Sequence, residues 1–575
     1  MRNIEKKAFK KLFKKYIKPY KGKFAILYTI TMLSNILGLL PIYFMGNIIN
    51  YVTMKSFDKI LYTIGILCAL FLGGSILSIG ETYLAGWLNN EITKKIKDDI
   101  YSKATDISIT NFQKISSGHI ISLIEGDSVK IADFFVSKII GVLVAAVTLV
   151  VSLFFLFKLS FSLTFIAIVS FPIGFIGNLL CGKKINKETE VLRKLSDENY
   201  TFLNKTFSGI KEVKSYVIEQ KMIEQFKNYT YRIQERNMKV TILEILSGMF
   251  SVLISSIADW LIIGYGTWKI IAGTFSIGSY VAFNGYSGSM FGAIRELLNI
   301  NVTFRTIEIS LDRISLFLET PSEKSNRKGN VETLDGDIVF ENVSFSYNTD
   351  SQTVLNDFNA TFKKNEMSVI VGTNGIGKST VLSLIEQFYQ PQKGKILIGR
   401  CDLKEMTLEC LRKNIGMVQQ HPMILTGTLR ENLEYGNKNI NDEILDRVCA
   451  AVGLTDFVNS LPCGYDTQLG EVSGGQQQRI AIARVLVKDP SILLLDEITS
   501  DLDGKSEREI IALLKNLARE KTVILISHRA NAIVGIANIY VMDQGRIIEH
   551  GQHKELLEKC WLYSALVNDK EEVAL

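Results

Sequence analysis

The stretch Met367-Ser-Val-Ile-Val371-Gly372-Thr-Asn-Gly375-Ile-Gly377-Lys378-Ser379-Thr380 decides the architecture of the second half of this chain. A short β-branched run enters a glycine-rich loop, and the loop ends in Lys-Ser-Thr at the start of a helical pattern. GxxxxGK[ST] in this strand–loop–helix order is a phosphate cradle. The glycines let backbone N–H groups curl around phosphate oxygens, and the helix adds its positive N-terminal end. Gly372, Thr373, Asn374, Gly375, Gly377, Lys378, Ser379 and Thr380 are thus candidate nucleotide contacts. Lys378 suits the β- and γ-phosphates and Ser379 suits Mg²⁺.

Working outward, Ile492-Leu-Leu-Leu495-Asp496-Glu497 is an apolar strand that ends in two carboxylates. Carboxylates at such a strand end lie where α/β sheets bind ligands. Asp496 suits the Mg²⁺ shell, and Glu497 suits a general base for an attacking water. Ser473-Gly474-Gly475-Gln476 opens another helix and offers a second anion cradle of amides and one hydroxyl; read alone it is equally an ordinary N-cap. Val339–Phe345, Met367–Val371, Ile415–Val418, Ile492–Leu495 and Val523–Ile526 read as strands alternating with helices. That alternation predicts a largely parallel sheet covered by helices on both faces.

The first half differs. The chain has 575 residues, 47% hydrophobic and 22% charged, with a mean hydropathy of +0.17. That length exceeds one core, and the hydropathy fits one membrane part joined to one soluble part. The net charge of +6 is mild, so nucleic-acid binding finds no support. The seven cysteines are scattered without a CxxC pair, which argues against a disulfide framework or zinc site. The basic first 23 residues, with Phe9, Leu12, Phe13, Tyr16 and Ile17 at helical spacing, read as an amphipathic helix on the inner membrane surface. Six apolar runs follow, at 24–49, 60–87, 135–157, 159–181, 242–271 and 277–300, each sufficient for a bilayer crossing. The basic start places the N-terminus inside. The charged intervals 89–133 and 182–241 keep helical periodicity, so the helices are expected to extend beyond the membrane. Residues 320–336 are polar and read as a linker. The expected division is a transmembrane domain at 1–319, this linker, and a nucleotide-binding domain at 337–575.

These motifs, in this order, make the chain resemble the ATP-binding cassette (ABC) transporters, in particular the half-size branch with the type I exporter fold. The resemblance implies a six-helix, all-α membrane domain followed by an α/β P-loop ATPase, with ATP and Mg²⁺ as ligands. It also implies a homodimer, or a heterodimer with a second half-transporter, in which each ATP lies between the P-loop of one chain and the Ser-Gly-Gly signature of the other. Under that resemblance Tyr347 matches the aromatic residue stacked on adenine. Gln420 matches the glutamine that touches Mg²⁺ beside Ser379 and Asp496, and Asp503 matches the loop that crosses the dimer interface. Glu497 and His528 match the catalytic glutamate and the histidine at the γ-phosphate. Residues 111–127 and 207–214 resemble the two cytoplasmic extensions whose short coupling helices dock on the cassettes.

Departures from the family pattern accompany the match. Only Val472 separates Gly470-Glu471 from Ser473, where the family has several more residues, and Asp501 replaces the usual Ala. The resemblance implies movement of a drug, lipid, peptide or similar substrate across a plasma membrane, most simply as export. A siderophore-type importer with this fold and a membrane-anchored regulatory ATPase are the alternatives. Tyr280, Asn284, Ser287 and Phe291 share one face of the sixth run, and a substrate path and helix packing explain that face equally well. Glu81 and Asp259 lie in or near spans, where acids either serve function or sit close to water.

Overall fold

The computed structural model describes residues 9–115, 117–174, 176–323, 334–347, 353–437, 440–499, 502–527, 535–536 and 538–568. The chain divides into two compact units: Met1–Tyr101 with Gly118–Glu319, and Ser102–Ser117 with Thr320–Leu575.

The first unit is helical. Its long helices are α1 (Lys21–Thr53), α2 (Phe57–Asp106), α4 (Ile139–Leu159), α5 (Phe161–Gly174), α6 (Ile176–Ser208), α8 (Glu219–Ile271) and α9 (Ile277–Glu319). The short helix α7 (Ile210–Ser215) also belongs to it, whereas the short helix α3 (Ile109–Lys114) belongs to the second unit. Among the described residues, three helical stretches are long and apolar enough to cross a membrane by length and composition: Phe9–Thr53, Phe57–Asp106 and Ser117–Leu159. The fifth and sixth apolar runs lie on α8 and α9, of 53 and 43 residues. Such lengths far exceed the ~20 residues of a crossing.

Large side chains interlock this unit. Phe155 stacks on Tyr286 with ring centroids 4.7 Å apart, a contact that adds about 1 kcal/mol to simple burial. The Tyr286 hydroxyl donates to Leu39 O at 3.2 Å. Near the N-terminus, Leu12, Tyr16 and Ile17 are buried in protein, and Phe9 and Phe13 contact Phe135. The apolar face expected to rest on a membrane therefore packs largely on the molecule itself, leaving Lys10, Lys14 and Lys18 outward.

The second unit is built on two sheets. Six strands run in the order β10 (Arg546–Gly551), β9 (Asn538–Asp543), β3 (Met367–Val371), β8 (Thr522–Ile526), β7 (Ile492–Asp496) and β6 (Ile415–Val418). All are parallel except the edge strand β10. The strands β3, β7 and β8 are buried at every residue, as a sheet covered on both faces requires. A second, antiparallel sheet has the order β2 (Leu355–Phe362), β1 (Ile338–Phe345), β4 (Lys393–Ile398), β5 (Cys401–Asp402). The strand–helix alternation did not predict it, and the run Val339–Phe345, expected in the parallel sheet, pairs antiparallel with β2 and β4 here instead. Its members β2 and β4 mix exposed and buried residues, which reads weakly as strand from sequence. Phe340, Phe358 and Phe362 join this sheet to the parallel one through a shared apolar cluster with Ile370 and Ile526.

The stretch Ser102–Ser117 belongs to this second unit. Glu323 N donates to Asp106 O at 2.8 Å, Ile107 bridges to Ser322, and Ile109 of α3 packs on the cluster of the antiparallel sheet.

Candidate functional site

The parallel sheet sets the site. Strands β3 and β7 flank β8, with Val369 opposite Leu525 and Asp496 opposite Ile526. Parallel neighbours end on the same edge, so the loop after β3 and the carboxylates ending β7 emerge together.

That loop is shaped by Gly372, Gly375 and Gly377, with φ of 154°, 82° and 103°. At Gly372 a Cβ atom would meet Met542 O at 2.4 Å, so the position excludes any side chain. The loop leads into α10 (Lys378–Ile385). Lys378 is buried, and its ammonium donates to Gly372 O at 2.9 Å and Thr373 O at 2.8 Å, which folds the side chain back over the loop. Thr373, Asn374 and Gly375 are exposed at the rim.

Ser379 Oγ donates to Asp496 Oδ1 at 3.0 Å. Gln420 Nε2 donates to Glu497 Oε2 at 2.7 Å. The loop, Ser379, Asp496, Glu497 and Gln420 thus converge from three strand ends. Burial raises the Asp496 carboxyl above its ordinary range; Ser379 and Lys378 oppose that rise and Glu497 adds to it. Glu497 has φ of 50°, in the left-handed region. A non-glycine residue held there stores backbone strain, a pattern that concentrates at functional positions. Its N–H donates to Ile526 O at 3.1 Å, which fixes the turn.

Tyr347 follows β1 and is 42% exposed, so it is no core tyrosine. Its hydroxyl pairs with Thr380 Oγ1 at 2.9 Å, and its ring meets Tyr389 edge-on at 5.0 Å. An aromatic face therefore stands beside the phosphate loop.

Ser473, Gly474, Gly475 and Gln476 lie at the start of α15 (Gly474–Lys488). Ser473 Oγ accepts from Gln476 N, and Gln476 Oε1 accepts from Ser473 N, a capping box. This helix packs on β6, on α12 (Leu429–Glu434) and on α13 (Asp442–Ala451); α10 packs on β7. The shortened stretch before Ser473 is held by neighbours: Leu469 N donates to Gly427 O at 3.0 Å, and Gln477 Nε2 donates to Val472 O at 3.1 Å. Asp503 caps α16 (Gly504–Leu517), accepting from Lys505 N and Ser506 N. His528 and Asp501 lie outside the described residues.

Two features have no motif to announce them. A cavity of about 480 Å³ is lined by Glu386, Arg412, Met417, Met423, Arg484 and Lys488, among others. There Arg412 grips Glu323 through two bonds of 2.9 and 2.8 Å, and Lys488 Nζ donates to Ile415 O at 2.7 Å. A second cavity, of about 570 Å³, runs from Ser108 and Asn111 to Tyr347 and Tyr389. Both join residues far apart in sequence.

In the first unit, the face Tyr280–Asn284–Ser287–Phe291 is largely closed. Tyr280 packs on Gly266, Ser287 is buried, and Phe291 packs on the cluster around Tyr286. Of the two acids singled out there, Glu81 is half-buried and Asp259 exposed.

Comparisons with known proteins agree with this geometry. The ABC transporter transmembrane region model matches residues 24–294, and the ABC transporter model matches residues 355–500. Two Staphylococcus aureus proteins, from strains COL and MW2, are 30% identical over 564 residues, spanning 96% of this chain and 98% of each relative. Both are provisionally named multidrug export ATP-binding/permease proteins. The structure of a bacterial Atm1-family ABC exporter with ATP bound superposes with a TM-score of 0.83 at 23% identity, over 95% of this chain and 98% of that one.

Proposed function

We propose a role for this chain on the premise that it belongs to the ABC transporter family, as an ATP-driven half-transporter whose membrane region is fused to one ATPase domain. Two such chains, alike or unlike, pair and hold each ATP between the phosphate loop of one and Ser473–Gln476 of the other. The paired machine exports a drug-, lipid- or peptide-like substrate across the plasma membrane, with the N-terminus and the ATPase domain in the cytoplasm. Residues 1–319 form the transmembrane domain, 320–336 the linker and 337–575 the ATPase.

The observation that carries this reading is the convergence of Gln420 on Glu497 and of Ser379 on Asp496 at the mouth of the phosphate loop. Hydroxyl, carboxylate and amide oxygens are the donor set that a hard cation prefers, so Ser379, Asp496 and Gln420 fit Mg²⁺. When bound, that ion would neutralise charge on the phosphates. Lys378, already aimed into the loop, offsets γ-phosphate charge. Tyr347 offers its ring to the purine. The Glu497 carboxylate takes the proton of the water that attacks the γ-phosphorus, as the bond to the bridging β–γ oxygen breaks. Gln420 keeps the carboxylate turned toward that water, and His528 contacts the γ-phosphate.

The test is ATP hydrolysis by the purified chain in lipid nanodiscs, with Glu497→Gln as the control. Activity lost in that variant is expected. No activity from a folded, ATP-binding sample would remove the like-with-like pairing. Substrate accumulation in inverted vesicles rather than in whole cells is expected for export; the reverse result would sustain the importer alternative.

A further inference from the structure

Helix α9 turns outward a stripe that ends in a cation. On α8 the exposed residues of the fifth apolar run include large apolar ones, Met249, Val252, Leu253, Trp260 and Leu261, beside Glu244, Gly248, Asp259 and Gly264. The exposed stripe of α9 begins similarly with Ile277 and Val281, then changes to Asn284, Gly288, Gly292 and Arg295. At ~100° per residue these positions share an arc of about 80°, rotated about 90° from the closed face of Tyr280 and Ser287. A Cβ atom added at Gly288 or Gly292 would meet nothing within 4 Å, so the space before the helix is open.

Taking Ile277 as the outer edge of the span, Arg295 lies about 27 Å along the axis at ~1.5 Å per residue, near the inner edge of the ~30 Å of hydrocarbon in a bilayer. No carboxylate among the described residues lies within ion-pair distance of it. Its neighbour Glu296 is exposed too. That side chain leaves the helix about 100° away, and its Oε1 lies 3.7 Å from the Cβ position of Gly141 on α4. An unpaired guanidinium against acyl chains is costly, and charged side chains at membrane depth face water or a counter-charge. Two glycines and an asparagine give such a face no apolar cover against lipid.

We propose that the stripe Asn284–Gly288–Gly292–Arg295 lines the transport path and that Arg295 selects substrates bearing an anionic group: carboxylate, sulfonate or phosphate. The proposal rests on the transporter reading above and adds to it the class of substrate. A face covered by lipid or by a second copy of the chain is the contrary outcome.

The experiment uses the full chain in nanodiscs, with its native cysteines replaced and one cysteine placed by Gly292→Cys or, in a second variant, by Gly288→Cys. The probes are anionic 2-sulfonatoethyl methanethiosulfonate and cationic 2-(trimethylammonium)ethyl methanethiosulfonate, each rate normalised to that with a free thiol. One charge a helical turn away in a watery cleft predicts an anion preference of about fivefold. The preference should persist in Arg295→Lys and vanish in Arg295→Gln. Failure of both reagents to react at either cysteine, or a preference indifferent to Arg295→Gln, would overturn the proposal.

A second readout compares stimulation of ATP hydrolysis by 8-anilinonaphthalene-1-sulfonate and by its uncharged parent, N-phenyl-1-naphthylamine. The sulfonate should act at several-fold lower concentration, and Arg295→Gln should close the gap. Equal potency in the unaltered protein counts against the proposal. Hydrolysis without either dye reports on the ATPase reading separately, and the labelling rates stand whichever way that falls.

Discussion

Gln420 and Glu497, 77 positions apart, are joined by a 2.7 Å bond from the amide Nε2 to the carboxylate Oε2. The bond ties the end of β6 to the end of β7 and sets the direction in which the carboxylate can accept a proton. Glu497 reaches this position through a left-handed backbone, so its placement depends on the surrounding sheet and not on its own preference.

Glu497→Gln should keep the size and the Gln420 contact while removing the proton acceptor. We expect hydrolysis to fall by roughly 100-fold or more, the usual worth of a general base, with ATP binding retained. Phosphate release and equilibrium binding of a fluorescent ATP analogue, measured on the same sample, separate the two effects.

Tyr347 tests the purine platform. Replacement by Ala should weaken nucleotide binding about tenfold, since aromatic stacking on a base contributes ~1–3 kcal/mol. Tyr347→Phe keeps the ring and loses only the hydroxyl contact to Thr380, so its loss should be under about fivefold. Equal losses in titration calorimetry would mean that the hydroxyl, not the ring, matters.

Glu386 makes stability depend on pH. Burial raises its carboxyl from 4.5 to about 7, against the opposing pull of Lys488 and Arg412. The folded chain therefore keeps a proton that the unfolded chain has lost between these values. Stability should fall as pH rises through that window, by roughly 3 kcal/mol in total. Glu386→Gln should flatten this dependence and make the protein more heat-resistant than the unaltered chain at pH 8. Thermal unfolding of the full chain in detergent between pH 5 and 8 would show it; parallel curves for the two proteins would contradict it.

Asp127 is buried at 2% exposure, ion-paired to Arg313 at 2.8 Å and accepting from Ser310 Oγ at 2.9 Å. Asp127→Ala should cost about 1–2 kcal/mol, because it removes the acceptor of Ser310 and one partner of the partly exposed Arg313 guanidinium. The double replacement Asp127→Ala with Arg313→Leu should recover part of that loss. A double variant no more stable than Asp127→Ala alone in thermal unfolding would show that the pair is not the source.

Local spacing was enough to recognise the phosphate loop, the five core strands and the long helices. Glycines at 372, 375 and 377 are needed by the backbone itself, and fully buried strands appear as unbroken apolar runs. Of the antiparallel sheet only β1 was recognised, because β2 and β4 mix exposed and buried residues irregularly. The packing of Leu12, Tyr16 and Ile17 was hidden for another reason: an amphipathic pattern tells which face seeks cover, not whether lipid or protein provides it.

By itself, the sequence determined the order of a membrane-type half and a P-loop half, and the residues proposed to hold phosphate. Those depend on short-range periodicity, on the conformational freedom of glycine and on the chemistry of single side chains. Only the tertiary structure decided that Gln420 meets Glu497, that Ser102–Ser117 joins the second unit, and that α9 opens toward Arg295 and not toward Ser287. Each is a contact, or the absence of one, between residues far apart in the chain. The rotation of a helix about its own axis is set by the neighbours it packs against.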